Sequence, residues 1–378
     1  MTSNYELTKN WLISSGIFVS ESTHNDFGGV HSYYDESKKA FAFLYPEITG
    51  YYSSTMRFLF EHEKNSAFIE YSKASCNWLI KLFEKYGGII QGIDQDGTPK
   101  KFVYSFDSGI CAKGLVDCYL ISKEEKFLEM AKKLNQWIID ETICENGLIK
   151  PVKNLSTNQF EVDKKIWYKQ SGCLHIKLII PLVEQYRISK DSDLLEKIKI
   201  IADSISHFQN SDGSIMLHLD NKTINLHTLC YALEGLIYAY MATNEENYLK
   251  SCKKAIAWAE KHIQKDGSIE LWFNSKYHSK SSYPIAQIIR LKILIAKIDD
   301  QKLDQNISKL KLFLLSLQCN SENSETNGGF YEEFNKSIFG WKKTLKVNSW
   351  ASMFSLQALY WIDNFSELDI ENEFSLLY

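Results

Sequence analysis

Two kinds of apolar pattern alternate along the chain. In the first, apolar residues recur at i, i+3, i+4 and i+7, which predicts helices with one apolar face; these segments cover 74–86, 127–141, 194–208, 248–263 and 303–317. In the second, almost every position is apolar; these segments cover 47–60, 107–120, 171–185, 226–241, 284–298 and 349–362. A helix that is apolar on all sides is buried on all sides, so outer helices are predicted to alternate with inner ones.

A short turn centred on glycine recurs between the outer and inner helices. The turns occupy 27–30, 94–97, 145–148, 210–215, 264–269 and 327–330, and the mean interval between Gly29 and Gly329 is 60 residues. Their Asp-Gly and Asn-Gly steps favour a positive φ. The chain is therefore predicted to consist of six copies of one helical-hairpin repeat.

Six such hairpins predict an all-α fold in which six inner helices ring an axis and six outer helices surround them, an (α/α)6 toroid. Closing the ring removes the exposed ends that repeats normally leave. An open α-solenoid is the alternative, but its repeats are usually shorter and lack long segments between helices. We expect residues 1–378 to form a single toroid domain.

Composition narrows the classes of function. The formal charge is −4, from 43 Lys and Arg against 47 Asp and Glu, and no basic patch is visible, so we expect no nucleic-acid partner. No apolar run reaches the roughly 18 residues of a membrane-spanning helix, and the first residues do not resemble a secretory signal. Eight cysteines without a CxxC pair favour reduced core thiols and a cytoplasmic location. The oligomeric state stays open.

Two turns carry a resemblance to known proteins. Residues 209–214 read Gln-Asn-Ser-Asp-Gly-Ser, and residues 264–268 read Gln-Lys-Asp-Gly-Ser. They resemble the Q-x-x-D-G-S turn of six-hairpin toroid enzymes, a superfamily that includes glycoside hydrolases, polysaccharide lyases, and uronyl and N-acylglucosamine epimerases. The resemblance covers the whole chain as architecture and implies a carbohydrate ligand, but it indicates no single family.

Polar residues stand near the start of each apolar inner helix. They follow one another at intervals of 60, 63, 57, 60 and 61 residues: Glu47, Asp107, Gln170, His227, Gln287 and Asn348. This spacing predicts that they face one mouth of the toroid. Helix capping is the alternative explanation. A ring of hydrogen-bonding groups is what a polyhydroxylated ligand requires.

Aromatic residues, 13% of the chain, cluster in the segments that lead into the inner helices. Sugar rings stack on such side chains, although aromatic residues can equally fill a core. Together with the polar ring, they give the predicted substrate-binding residues: Tyr33, Tyr34, Asp35, Tyr45, Trp167, Tyr168, Gln170, His227, Tyr283, Gln287, Asn348 and Trp350.

A carboxylate pair provides the predicted catalytic residues. Glycoside hydrolysis commonly needs one carboxyl group as acid and another as base or nucleophile. Glu47 is the predicted acid and Asp107, one repeat later, its partner base; Asp35 is a third candidate. Burial among aromatic residues would keep one of these carboxyl groups protonated.

Two other functions stay open. A uronic-acid C5-epimerase or a polysaccharide lyase needs a base and a group that stabilises an enolate, and these roles suit His227, Tyr33, Tyr168, Lys169 and Arg57. A non-catalytic glycan-binding protein on the same fold is the other possibility.

Motifs of cofactor-dependent chemistry are absent from the sequence. The strings D-x-D-D and D-D-x-x-D of terpene cyclases and the Cys-His-Gly string of lanthionine cyclases do not occur. Cys173 and His175 are two apart on one helix and point to different faces, which disfavours a metal site. Glycine-rich nucleotide-binding strings are also missing, so no cofactor is predicted.

Overall fold

The computed structural model describes residues 3–378 and is mainly helical. The α-helices are α1 (Asn4–Ser14), α2 (Pro46–Glu63), α3 (Ala67–Tyr86), α4 (Ser105–Ser122), α5 (Glu125–Trp137), α6 (Ile179–Ser189), α7 (Ser192–Asp203), α8 (Ile205–Phe208), α9 (Leu226–Thr243), α10 (Glu246–Glu260), α11 (Ser282–Ile298), α12 (Gln305–Ser316), α13 (Ser349–Asp363) and α14 (Ile370–Leu376). The predicted alternation is confirmed: α2, α4, α6, α9, α11 and α13 are almost fully buried over most of their length, and the helices between them bury one face.

Two helices depart from the regular pattern. The third inner helix, predicted to start at residue 171, begins as a 3-10 helix at Cys173–Leu178 and becomes α-helical only at Ile179. The third outer helix ends in a π-helical turn at Ile138–Thr142. Apolar periodicity does not distinguish these helix types, so the sequence pattern did not reveal them.

The inner helices form a closed ring. Each packs against the next, and α13 packs against α2 as well as α11. The first outer helix joins the closure, because the Thr8 hydroxyl donates to the Gly328 carbonyl (2.9 Å) and the Trp11 indole donates to the Glu325 carbonyl (2.9 Å). This closure excludes the open solenoid.

Short antiparallel strands lie between outer and inner helices. They are β1 (Tyr33–Asp35), β2 (Ala40–Phe41), β3 (Gly92–Ile93), β4 (Pro99–Lys100), β5 (Phe102–Tyr104), β6 (Val152–Asn154), β7 (Gln159–Glu161), β8 (Ile224–Asn225), β9 (Trp272–Phe273), β10 (Ser279–Ser281), β11 (Phe330–Tyr331), β12 (Glu333–Ser337), β13 (Gly340–Lys343) and β14 (Lys346–Asn348). One sheet has the order β11-β14-β1-β2 and so joins the last repeat to the first, with Tyr33 opposite Asn348.

Most of the glycine turns dock on the next outer helix. At Gly267 the φ angle is +82°, and a Cβ built there would lie 2.0 Å from the carbonyl oxygen of Lys309 on α12. The second turn differs: Gly97 has a similar φ of +83°, but it lies in the β3–β4 hairpin, and a Cβ built there would have no described atom within 4 Å apart from those of its chain neighbours. The sequence pattern therefore grouped the Gly97 turn with the other turns, although the Gly97 turn packs differently.

The C-terminal segment closes the far end of the axis. Tyr378 is buried against Phe354 and Tyr51, and its hydroxyl donates to the Met353 carbonyl (2.9 Å). Gln357 donates to the Leu376 carbonyl (2.8 Å). The toroid is thus blocked at this end and open where the inner helices begin. Among the residues described, no helix combines the length and apolar character needed to cross a membrane.

Candidate active site

The carboxyl groups of Glu47 and Asp107 reach the open mouth from neighbouring inner helices. Tyr45 ends the preceding extended segment with φ −124° and ψ 110°, and Pro46 then begins α2, so that Glu47 lies in its first turn. Proline suits this position because the first helical N–H needs no partner within the helix. Asp107 lies in the first turn of α4 in the same way.

Two glycines let these helices approach closely. A Cβ on Gly50 would lie 2.8 Å from the carbonyl oxygen of Ile110, and one on Gly114 would lie 2.4 Å from the carbonyl oxygen of Gly50. Either contact would force the backbones apart. The close approach of α2 and α4 brings the first turns of both helices, and with them the two carboxyl groups, to one place.

A cavity of about 390 Å³ opens at this mouth. Its size falls within the range of small-molecule sites. The carboxyl groups share its wall with aromatic rings, two histidines and a few other side chains: Tyr45, Glu47, Ile48, Gln91, Tyr104, Phe106, Asp107, Trp167, Tyr168, Leu174, His175, His227, Tyr231, Tyr283, Glu332 and Trp350.

Burial changes the protonation of the carboxylate pair. The pKa of Glu47 rises to about 7 because burial disfavours its charge, while the Tyr45 hydroxyl and the Lys177 ammonium oppose this rise. The pKa of Asp107 rises well above its ordinary value, through burial first and the nearby charge of Glu47 second. Within residues 3–378, the Asp107 Oδ2 atom is buried without a hydrogen-bond partner. The pair therefore holds a proton at neutral pH, and the nearby Lys177 ammonium, which favours ionised Glu47, directs that proton towards Asp107.

Aromatic rings line the wall of the cavity. The ring of Tyr283 lies 4.5 Å from that of His227 and 6.1 Å from that of Trp350. On another part of the wall, Tyr168 lies 5.6 Å from Trp167 and 6.0 Å from Tyr104. These distances are typical of aromatic pairs that pack at an angle.

A buried ion network forms the floor. Glu234 accepts from Lys177 Nζ (2.6 Å) and from Arg290 Nη2 (2.7 Å), and it also accepts from the Gln287 amide (3.2 Å). Lys177 Nζ lies over the ring of Tyr231 at 4.3 Å. Burial lowers the pKa of Lys177 to about 8, against the attraction of Glu234. The network fixes the floor. Within residues 3–378, neither Glu47 nor Asp107 has a direct ion-pair partner, whereas Glu332, the third carboxyl group of the wall, lies 3.9 Å from the ammonium of Lys346.

The hydrogen bonds of the floor also determine which nitrogen of the His227 ring carries the proton. Since Gln287 donates its amide to Glu234, its Oε1 is free to accept from His227 Nδ1 at 2.5 Å. Burial lowers the pKa of His227 to about 3, and that of His175 to about 4. Both imidazoles are therefore uncharged at neutral pH. The hydrogen bond places the His227 proton on Nδ1, so that Nε2 is an acceptor.

The structure brings many of the residues predicted from the sequence to the cavity, and these are Glu47, Asp107, Tyr45, Trp167, Tyr168, His227, Tyr283 and Trp350. Gln287 does not line the cavity, but from the floor it forms a hydrogen bond with the His227 ring. Gln287 stands more than one turn inside α11, which begins at Ser282, so its side chain reaches the floor.

Other predicted residues have structural partners away from the cavity. The Tyr34 hydroxyl donates to Glu325 (2.6 Å), and Asp35 accepts from the Ser37 N–H (3.0 Å). Gln170 donates to the Lys164 carbonyl (3.0 Å). Asn348 caps α13 by accepting from the Ala351 N–H (3.0 Å), as the capping interpretation predicted for such positions.

The remaining predicted residues of strand β1 and of the epimerase alternative also lie elsewhere. Tyr33 pairs with β14, and the ammonium of Lys346 lies over its ring, 4.8 Å from the ring centroid. Arg57 pairs with Asp117 (2.6 Å) near the C-terminal segment, and Lys169 pairs with Glu161 (2.9 Å). Neither cation lines the cavity.

Some lining residues were not predicted as site residues. Gln91, Phe106, Tyr231 and Glu332 line the cavity from loops or from within a helix turn. The sequence contained a signal for the charged residues of the floor, because Lys177, Glu234 and Arg290 are charged positions within helices that are otherwise mostly apolar. A charge buried in such a helix needs a partner. In the described part of the chain, no three His, Cys, Asp or Glu side chains group as metal ligands would.

Comparison with known proteins supports the fold but no family. No protein-family model and no curated protein matches the chain. Among solved structures, the cellobiose 2-epimerase from Bacillus thermoamylovorans is 13% identical with a TM-score of 0.74, covering 92% of this chain and 97% of that one. The unsaturated glucuronyl hydrolase from a Bacillus species is 11% identical with a TM-score of 0.67, and the match covers 95% of this chain and 97% of that one.

D-mannose isomerase is 10% identical with a TM-score of 0.73, and the match covers 94% of this chain and 95% of that one. At such identities the likeness concerns the fold alone, and it extends over nearly the full length of each partner. The chain therefore has the (α/α)6 toroid fold that its sequence repeat predicted.

Proposed function

We propose that this protein is a carbohydrate-active enzyme that hydrolyses a glycosidic bond of an oligo- or polysaccharide. The observation that carries the proposal is the coupled, buried pair of Glu47 and Asp107 in an aromatic-walled cavity. Two carboxyl groups with different proton affinities in one cavity supply the acid and the base that glycoside hydrolysis needs.

The electrostatics favour a division of roles opposite to the one predicted from the sequence. The Tyr45 hydroxyl favours the ionised form of both carboxyl groups, but the Lys177 ammonium favours that of Glu47, so Asp107 is the proton donor. Asp107 gives its proton to the glycosidic oxygen as the bond from the anomeric carbon to that oxygen breaks. Glu47 accepts a proton from the water that adds to the anomeric carbon, or attacks that carbon itself; the separation of the carboxyl groups decides which.

The charges of the site favour an uncharged sugar. The cavity wall carries the carboxyl groups of Glu47, Asp107 and Glu332, and its lining in the described chain includes no Lys or Arg. Lys177, below, is already paired with Glu234. Lys346 is likewise already paired with Glu332 of the wall (3.9 Å). A uronate would therefore find both of these cations engaged, which weighs against the uronic-acid epimerase and lyase alternative.

Epimerisation of a reducing sugar is the second candidate. Two uncharged histidines, His175 and His227, line the cavity, and the solved structures with the same fold include a cellobiose 2-epimerase. With pKa values of about 4 and 3, however, these imidazoles are weak bases. Glu47 is the stronger base in the cavity, so hydrolysis remains the preferred function.

A panel of cello-, malto-, laminari- and chito-oligosaccharides incubated in D₂O distinguishes these functions. Hydrolysis gives shorter chains and new reducing ends. Epimerisation changes the configuration of one sugar at constant chain length and exchanges the hydrogen next to the carbonyl for deuterium. Binding with neither change supports a non-catalytic protein. Asp107→Asn is the control, and it is expected to lower any cleavage due to the site by about 10²- to 10⁴-fold.

We also propose a reducing compartment, such as the cytoplasm, for this protein. Support comes from its eight cysteines, all of which are free thiols and most of which are buried in the core. Titration of the denatured protein as isolated is expected to count all eight thiols.

A further inference from the structure

A second, more open cleft adjoins the catalytic cavity. It has a volume of about 870 Å³, more than twice that of the cavity, and Trp167 lines both. The other walls are the β9–β10 segment, with Trp272 and Tyr277, and the β12–β13 hairpin from Glu333 to Ile338. We call this cleft the aromatic groove.

The aromatic groove opens on the same mouth as the cavity. Trp272 lies in β9, opposite Asn225 of β8, and Asn225 caps the inner helix α9 that carries His227. Strand β10, which ends the segment containing Tyr277, leads directly into the inner helix α11. A chain that leaves the cavity past Trp167 therefore enters the groove without crossing the outer helices.

Exposed aromatic rings are the main feature of this groove. Trp167 is 39% exposed and Tyr277 is 60% exposed, and the rings of Trp272 and Tyr277 lie 6.2 Å apart. Several charged groups nearby are already engaged: the ammonium of Lys276 lies over the ring of Tyr277, and Glu333 accepts from Ser281 (2.8 Å). Lys336 also lines the groove, is exposed and has no ion-pair partner among the described residues. A ligand therefore meets a series of aromatic rings together with one unpaired ammonium group.

We propose that the aromatic groove binds the part of a neutral glycan chain that extends beyond the cavity, with sugar rings stacked on Trp167, Trp272 and Tyr277. This inference rests on the proposed function and adds the substrate class: an oligosaccharide or polysaccharide longer than a disaccharide. The cavity holds the bond to be broken, and the groove holds the following sugars. Affinity then increases with chain length.

Binding without turnover tests the groove separately from the chemistry. Quenching of tryptophan fluorescence is measured for the disaccharides and hexasaccharides of the cello, malto, laminari and chito series. At least one hexasaccharide is expected to bind about tenfold more tightly than its disaccharide, a difference that one or two aromatic contacts provide. Trp272→Ala and Tyr277→Ala are expected to remove that gain while leaving the disaccharide affinity unchanged.

Phe339→Ala is the matched control, because this ring is 94% exposed on the neighbouring hairpin tip but does not line the groove. Equal affinity for long and short chains, or no binding of any neutral hexasaccharide, would overturn the proposal. Tighter binding of a hexagalacturonate would also overturn it, in favour of charge recognition. Length-dependent binding without cleavage would instead refute the hydrolase while supporting the groove.

Discussion

At the scale of single residues, the chemistry of the site depends on where charge is buried. Glu47 and Asp107 are 8% and 4% exposed, and neither has an ion-pair partner among the described residues. Their neighbours in the floor, Lys177 and Arg290, are held by Glu234. A single carboxylate, Glu234, thus pairs with both cations of the floor, while the wall is left able to hold a proton.

Burial of Glu47 predicts an unusual dependence of stability on pH. Its pKa is about 7 in the folded chain and near 4.5 when the side chain is exposed, so between these values the folded state binds more protons than the unfolded state. Stability therefore falls as pH rises from about 4.5 to above 7, and at most about 3 kcal/mol is lost through this group. The unfolding free energy, measured with urea at pH 5 and at pH 8, is expected to fall less between these two pH values in Glu47→Gln than in the parent.

The control for this measurement is Glu129→Gln, which changes a carboxyl group on the exposed face of α5. It is expected to follow the pH dependence of the parent. Identical pH dependence in the parent and in Glu47→Gln would show that the Glu47 carboxyl group is not held in its protonated form by burial.

The floor network predicts a large loss of stability when its anion is removed. Glu234→Gln leaves Lys177 and Arg290 buried with no carboxylate between them, and such a change costs roughly 3–5 kcal/mol. Glu129→Ala, which breaks an exposed pair with Lys132, is expected to cost less than about 1 kcal/mol. A loss for Glu234→Gln as small as that of the control would show that the network does not stabilise the fold.

The sequence identified the catalytic candidates because they stand in the first turns of apolar helices, where position in the repeat determines position in space. It did not predict the partners of Tyr34, Asp35, Gln170 and Asn348, since these residues precede the helices and their direction depends on strand pairing and local capping. Their hydrogen-bond partners are distant in the sequence or specific to one turn. Periodicity carries no information about either.

At the scale of elements, the docked glycine turns set the packing of the outer helices. Gly267→Ala meets two penalties: a positive φ, worth roughly 1–2 kcal/mol, and a clash with the Lys309 carbonyl, worth roughly 1–3 kcal/mol. Gly97→Ala meets only the penalty for a positive φ, because a Cβ built there would have no described atom within 4 Å apart from those of its chain neighbours. We expect the difference in unfolding free energy between these variants to exceed about 1 kcal/mol in denaturant titrations. Equal losses would contradict docking of the turn.

The repeat pattern predicted the helices and their burial well, but not their internal irregularities. The 3-10 start at Cys173–Leu178 and the π turn at Ile138–Thr142 keep the same apolar residues inward. A pattern of burial is satisfied by either helix type. The sequence also could not show that the Gly97 turn is a free hairpin, because Asp-Gly steps favour both docked and exposed turns.

At the scale of the whole molecule, the two ends of the chain are interlocked. The last turn docks on α1, and β14 pairs with β1. We propose that residues 3–378 unfold as one domain, because opening the ring exposes the apolar faces of both end repeats. Far-ultraviolet circular dichroism and tryptophan fluorescence are expected to give coincident unfolding curves. Two separated transitions would contradict a single cooperative unit.

Catalysis by the carboxylate pair is tested by the kcat/KM of Asp107→Asn and Glu47→Gln on the oligosaccharide that the parent cleaves, with melting curves of all three proteins. Both substitutions keep size and hydrogen bonding but remove a titrating proton. Each substitution is expected to lower kcat/KM by about 10²- to 10⁴-fold, while the melting temperature stays within a few degrees of that of the parent. Full activity in both variants would contradict catalysis by this carboxylate pair.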